Sequence, residues 1–145
     1  SLESLRCEAA NVCKKILNQH SEVVLKVNQF ALKNDLEKSL ASIIQGFLLS
    51  SYKFEKHLSS KSEQKLKKVI LEVENKDAKI AKKALQESLI ICESVNFCRD
   101  LVNEPPNILN SETYAKLVEK DSNYTSKNDV VNQIKNITQV TETSF

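Results

Sequence analysis

Both prolines of this 145-residue chain stand side by side, Pro105-Pro106, within RDLVNEPPNILNSETYAKL, Arg99 to Leu117. Upstream, Asp77 to Val102 contains neither glycine nor proline, which predicts one helix about 39 Å long at the standard rise per residue. Proline lacks an N–H to donate and disfavours the α conformation in the residue before it, so that helix must end near Asn103. Downstream, Asn110 is suited to accept from the first N–H groups of a second helix, whose positive end Glu112 favours. NEPPN therefore reads as a stiff spacer, with about four residues held extended between two helices.

The long helix is apolar in an unusual way. Its main stripe is Ile80, Ala84, Ile91, Val95, Cys98 and Val102, and its first half has a polar back of Lys79, Lys82, Lys83 and Gln86. In the second half Leu89, Ile90 and Phe97 fall well away from the stripe, and Leu101 lies on its flank. A helix that becomes apolar nearly all round is buried on more than one side. This half is expected to be wedged between two bodies.

The rest of the chain alternates helix and strand. Leu2, Leu5, Ala9, Val12, Cys13 and Ile16 have helical spacing, whereas EVVLKV (22–27) is short and β-branched, a strand. Asn34 with Glu37 resembles a capping box opening a helix through Leu36, Leu40, Ile43, Ile44, Phe47 and Leu48. Gly46 sits inside that helix at a cost of ~1 kcal/mol against alanine, which marks a place where another backbone comes close. SYKFEKHLSSKSEQK (51–65) is polar and reads as a loop with a short extended piece at Tyr52–Phe54. LKKVILEVE (66–74) reads as a second strand, with Val69, Leu71 and Val73 alternating. From Asp121 the chain is rich in Ser, Thr, Asn and Lys; Val130, Ile134 and Ile137 form one weak helical stripe. The expected class is α/β, a partial mixed sheet flanked by helices. So thin a sheet implies further strands upstream.

Composition excludes several functions. A 41% apolar and 28% charged chain is ordinary for a globular domain, and this length buries roughly 70% of its unfolded surface. No apolar run approaches the ~18 residues of a membrane span, and no signal-peptide pattern opens the chain. A net charge of +2 makes no case for nucleic acid or membrane as partner; the expected compartment is the cytoplasm. Without methionine, residue 1 is not an encoded start, so something upstream is expected. A single glycine rules out a Gly-rich phosphate loop. Cys7, Cys13, Cys92 and Cys98 lack metal-ligand spacing and read as small buried hydrophobes in a reducing compartment.

Other constellations have plain readings. Glu72 and Glu74 share one face of a strand, a possible carboxylate pair but more simply a solvated face. Lys79, Lys82 and Lys83 form a basic patch without interleaved aromatics to stack on bases. His20 follows a helix and is suited to its C-terminal carbonyls. Asn123-Tyr-Thr and Asn136-Ile-Thr match glycosylation sequons by chance in a chain without a secretory signal. Arg99 and Asp100 point ~100° apart on a helix, so each is expected either to reach a separate partner across a junction or to belong to an exposed charged rim at the helix end.

RDLVNEPPNIL closely resembles the segment that joins the two domains of the leucyl (cytosol) aminopeptidase family, where a long helix ends in Arg-Asp-Leu-x-Asn-x-Pro-x-Asn. GFLLSSYKFEKH is similar to the family's Gly-x-x-Leu-x-x-Tyr-x-Phe segment, and LESLRCEAANVCKKI to its Leu-Arg helix, with Cys7-Glu8-Ala9-Ala10 departing from small glycine-rich residues. The resemblance covers about residues 2–118. It implies that 1–76 is the C-terminal part of a macro-like N-terminal domain and 77–102 the interdomain helix. Residues 103–120 would then be the Pro-Pro junction and start of the catalytic domain, and 121–145 an unassigned polar tail. It implies a metallopeptidase parent that removes N-terminal residues from peptides with two divalent ions, zinc or manganese, and assembles as a hexamer. The family's Asn-Thr-Asp-Ala-Glu-Gly-Arg ligand segment is not found here; NKDAKIA (75–81) shares Asn, Asp and Ala but precedes the linker and lacks the rest. No catalytic or metal residue transfers, so no cofactor is expected in this chain and it should be inactive alone. The junction would be Arg99, Asp100, Asn103, Pro105, Pro106 and Asn107. Leu89, Ile90, Phe97 and Leu101 would face the catalytic domain or, in a non-enzymatic interaction module or remnant, another partner. Some family members bind DNA, a third possibility that the near-neutral charge weakens.

Overall fold

The computed structural model describes residues 1–27, 35–60, 62, 64–122 and 138–143, with side chains up to Leu117. Helix α1 (Leu2–Ile16) leads to strand β1 (Glu22–Lys26), helix α2 (Leu36–Ser50) and strand β2 (Lys68–Glu74). A single 3₁₀ turn at Asn75–Asp77 opens helix α3 (Ala78–Asn103), followed by α4 (Ser111–Ser122) and strand β3 (Thr138–Thr143). The chain is α/β. β1 and β2 pair in parallel across α2, and β3 joins the other side of β2, also in parallel. The antiparallel member of a mixed sheet is not among the described strands.

Alternation along β2 sets the layers. Val69, Leu71 and Val73 are buried on one face, where they meet α1, α2 and the first half of α3. The opposite face aligns Glu22 with Lys68, Val24 with Ile70 and Lys26 with Glu72, so opposite charges stand across the strands. Glu74 pairs with Lys76 at 2.6 Å. The two glutamates therefore belong to a solvated, charge-matched face.

α2 is the centre of the core. Asp35 caps it, accepting from Lys38 N at 3.1 Å; the expected cap, Asn34, lies outside the described residues. Leu40, Ile43, Ile44, Phe47 and Leu48 are all buried, each worth roughly 1.5–3 kcal/mol on leaving water. At Gly46 a Cβ would lie 2.5 Å from the Arg6 carbonyl oxygen and 2.8 Å from the Ala9 Cβ. The glycine is there because α1 crosses α2 backbone to backbone.

α3 packs on α2 by a different face from the expected stripe. Its buried residues are Ala78, Ala81, Ala84, Ser88 and Cys92, whereas Ile80, Ile91, Cys98 and Val102 are exposed. The buried face is centred about 70° round the helix from the predicted one, at 100° per residue. Small side chains let α3 approach α2 closely and reach Leu40, Ile44 and Leu48. Hydrophobicity alone gave the large residues too much weight.

Two further expectations change. Only Cys13 and Cys92 are buried; Cys7 and Cys98 are exposed. In the C-terminal region, TQVTET forms β3, where a polar tail was expected; Val130, Ile134 and Ile137 lie outside the described residues.

Candidate functional site

α3 ends at Asn103, and Glu104 is extended (φ −69°, ψ 133°), as a residue before proline should be. The prolines do not extend the next four residues. Instead the Pro105 carbonyl accepts from Ile108 N and Leu109 N, both at 2.9 Å, closing a turn with Pro106 at its second position. Proline's fixed φ suits that position as well as it suits an extended chain. Asn110 then caps α4, its Oδ1 accepting from Thr113 N at 3.0 Å.

The last turn of α3 is clamped to the exit of α2. α2 has no cation in its last turn, and the final carbonyls of a helix lack intrahelical partners. Arg99 reaches across to supply both needs, its Nη1 donating to the Leu49 carbonyl at 2.8 Å and to Asn96 Oδ1 at 3.3 Å. The same guanidinium lies 5.4 Å from the centroid of the Tyr52 ring, a cation–π contact. The neighbouring carbonyls are also taken: Phe47 accepts from Ser50 Oγ at 3.2 Å and Cys13 Sγ at 3.6 Å, and Leu48 from Ser51 Oγ at 3.0 Å.

Tyr52 is the hub. Its hydroxyl donates to Asp100 Oδ1 at 2.7 Å and accepts from Asn103 Nδ2 at 3.3 Å. Burial, then the Asp100 bond, pushes the phenol above its ordinary value. Arg99 and Asp100 thus do take separate partners, and both partners are on this chain. One residue beyond the helix, the Glu104 carboxylate receives Lys56 on one oxygen and His57 Nε2 at 2.7 Å on the other. Phe54 sets its ring edge to His57 at 5.7 Å between centroids. Those two bonds, Lys56 first, hold the Glu104 carboxyl below its ordinary value.

Sequence reading singled out Arg99, Asp100 and Asn103, and the fold brings them together around Tyr52. It missed Tyr52, Lys56, His57 and Glu104 as one cluster, because partners 47–51 residues apart leave no local signal. Pro105, Pro106 and Asn107 form the turn beyond. Of the other candidates, Leu89, Phe97 and Leu101 are half-buried, and Ile90 is 66% exposed. Ile90 continues into a free flank with Ile91 (50%), Cys98 and Val102 (84%). The cluster holds one helix against another. Among the described residues no group of three or more His, Cys, Asp or Glu side chains is placed to hold a metal ion, and no helix is long and apolar enough to cross a membrane.

The three segments quoted above converge here: α1 lies on Gly46, and Leu49 and Tyr52 receive Arg99, Asp100 and Asn103. The convergence has counterparts in known proteins. A probable cytosol aminopeptidase of Sulfurihydrogenibium sp. is 33% identical over 101 residues, 69% of this chain and 20% of that protein. One from Phytoplasma mali is 35% identical over 118 residues, 78% of this chain, and one from Treponema denticola 32% over 122 residues, 82% of this chain. This chain is a relative of cytosol aminopeptidases. It spans 20–25% of the length of those three relatives. No protein-family model matches. Among solved structures the bottromycin maturation enzyme BotP aligns with a TM-score of 0.71 at 18% identity, over 85% of this chain and 25% of that one; it shares the fold.

Proposed function

We propose that this chain is the supporting N-terminal part of a leucyl-aminopeptidase-like metallopeptidase, with α3 as the link to a catalytic domain. The names of the relatives and the share of them that is matched support this reading. The parent would remove N-terminal residues from peptides in the cytoplasm, with two divalent ions, zinc or manganese, held in the catalytic domain. It would assemble as an oligomer. The chain itself would carry structure and not chemistry: Arg99, Asp100 and Asn103 fix the end of α3, and Pro105, Pro106 and Asn107 turn the chain into the next domain.

The observation that carries the reading is the free flank of α3. Ile90, Ile91 and Val102 are the sort of large apolar side chains that a folded body covers, and they continue to the clamped junction. Half-buried Phe97 and Leu101 complete the surface around the helix, whereas Leu89 packs against the core. Cys98 lies on that flank and is exposed, while Cys7 on α1 is an internal reference thiol. Mixing the chain with the C-terminal domain of the Treponema denticola relative should slow thiol labelling at Cys98 and leave Cys7 unchanged. Equal rates with and without that domain would count against the assignment. The chain alone, given a leucine chromogenic substrate and manganese, should show no turnover.

The same flank supports the second reading, an interaction module that covers it with a different protein. Size-exclusion chromatography tests the module: a monodisperse monomer with no exposed apolar patch argues against it.

A further inference from the structure

We infer that Glu104, Lys56 and His57 form a proton-released clasp that sets the direction in which the chain leaves α3. The clasp rests on the junction assignment for its purpose, though its geometry stands without it. Glu104 is the single residue between the last helical residue, Asn103, and the turn closed on the Pro105 carbonyl. Its backbone N–H is tied to the Asp100 carbonyl at 3.0 Å, so rotation about its ψ is what swings the proline turn and α4. Proline narrows that rotation to the extended region without fixing it. What fixes it is the side chain, 7% exposed and gripped by two consecutive residues of the 51–58 segment. That segment is itself anchored to α3 through Tyr52 and turned by Leu58 N donating to the Glu55 carbonyl.

The charges facing Glu104 decide the sign. From the loop come Lys56 and His57, both favouring the carboxylate; from α3 come Arg99 and Asp100, occupied by Leu49 and Tyr52. Glu104 is held below its ordinary value of 4.5. A carboxylate with a lowered folded value stabilises its state above the unfolded value, and that stabilisation disappears as pH falls through the folded one. Acid therefore opens the clasp. The device is a hinge that is closed near neutral pH and freed by acidification or by high salt, since Lys56 is well exposed.

Hydrogen exchange read by mass spectrometry on the whole chain tests it, with rates corrected for the intrinsic effect of pH. Protection of the amides of Glu104, Ile108 and Leu109 should fall several-fold between about pH 7 and about pH 3.5, while β2 amides stay protected. Glu104→Gln should show the low protection at every pH, and Lys56→Gln should move partway. A Glu104→Gln variant with the protection and pH profile of the parent chain would overturn the clasp. Loss of β2 protection over the same pH range in the parent chain would equally overturn it, since the opening would then be global. Because the measurement needs no second domain, it can fail while Cys98 labelling still supports the aminopeptidase assignment, and the reverse.

Discussion

α2 and α3 are both rich in apolar residues, yet they spend them in opposite ways. α2 buries Leu40, Ile43, Ile44, Phe47 and Leu48 between the sheet and its two neighbouring helices, with Leu36 and Leu49 partly buried beside them. α3 turns its alanines, Ser88 and Cys92 inward and leaves Ile90, Ile91 and Val102 outside. A helix on the outside of a two-layer domain needs one apolar stripe. α3 has a second one, beside the turn that follows the helix.

That contrast can be broken most forcefully at Leu40, which has no exposed surface. Leu40→Ala should cost about 2–5 kcal/mol in urea unfolding followed by circular dichroism. Gly46→Ala comes next. Helix propensity favours the change by ~1 kcal/mol, but the new methyl meets the Arg6 carbonyl, which is backbone and cannot move aside. The net should be a loss of about 1–3 kcal/mol, and a more stable variant would mean that the two helices can part freely. Tyr52→Phe removes one donor to Asp100 and one acceptor from Asn103, so about 1 kcal/mol should be lost. Smallest of all, Val102→Ser should fall within about 0.5 kcal/mol of the parent in the isolated chain. A large loss at Val102 would show that the flank is already covered and would erase the difference between the helices.

The thiols sharpen the same comparison without mutation. Cys7 and Cys98 should react with a disulfide reagent at once, and Cys13 and Cys92 only on unfolding. Burial raises both of the latter, Cys92 to about 11, so burial and a scarcity of thiolate both keep it inert. Fast reaction at Cys92 would indicate that α3 separates readily from α2.

Several elements were legible because their signals are local. Strand alternation at Val69, Leu71 and Val73, the end of α3 before Pro105 and the Asn110 cap depend on neighbours a few residues away. Gly46 was legible too, since an interior helical glycine has few explanations besides close backbone approach. The buried face of α3 was not. Period and hydrophobicity favoured Ile80, Ile91, Cys98 and Val102, and only the distance to α2 selected the small residues instead. β3 was hidden by its polar composition, although its threonines and valine are good strand formers. The proline turn was misread because one φ value serves both an extended chain and a turn.

By itself the sequence determined the presence and order of α1, β1, α2, β2 and α3, that the backbone must come close at Gly46, and which family the junction resembles. Tertiary structure alone decided which side of α3 is inside and which partners Arg99, Asp100, Asn103 and Glu104 take. The physical reason is range: capping, alternation and proline geometry act within a turn or two, whereas the clamp and the packed face join groups about fifty residues apart, and only the folded chain brings them within bonding distance.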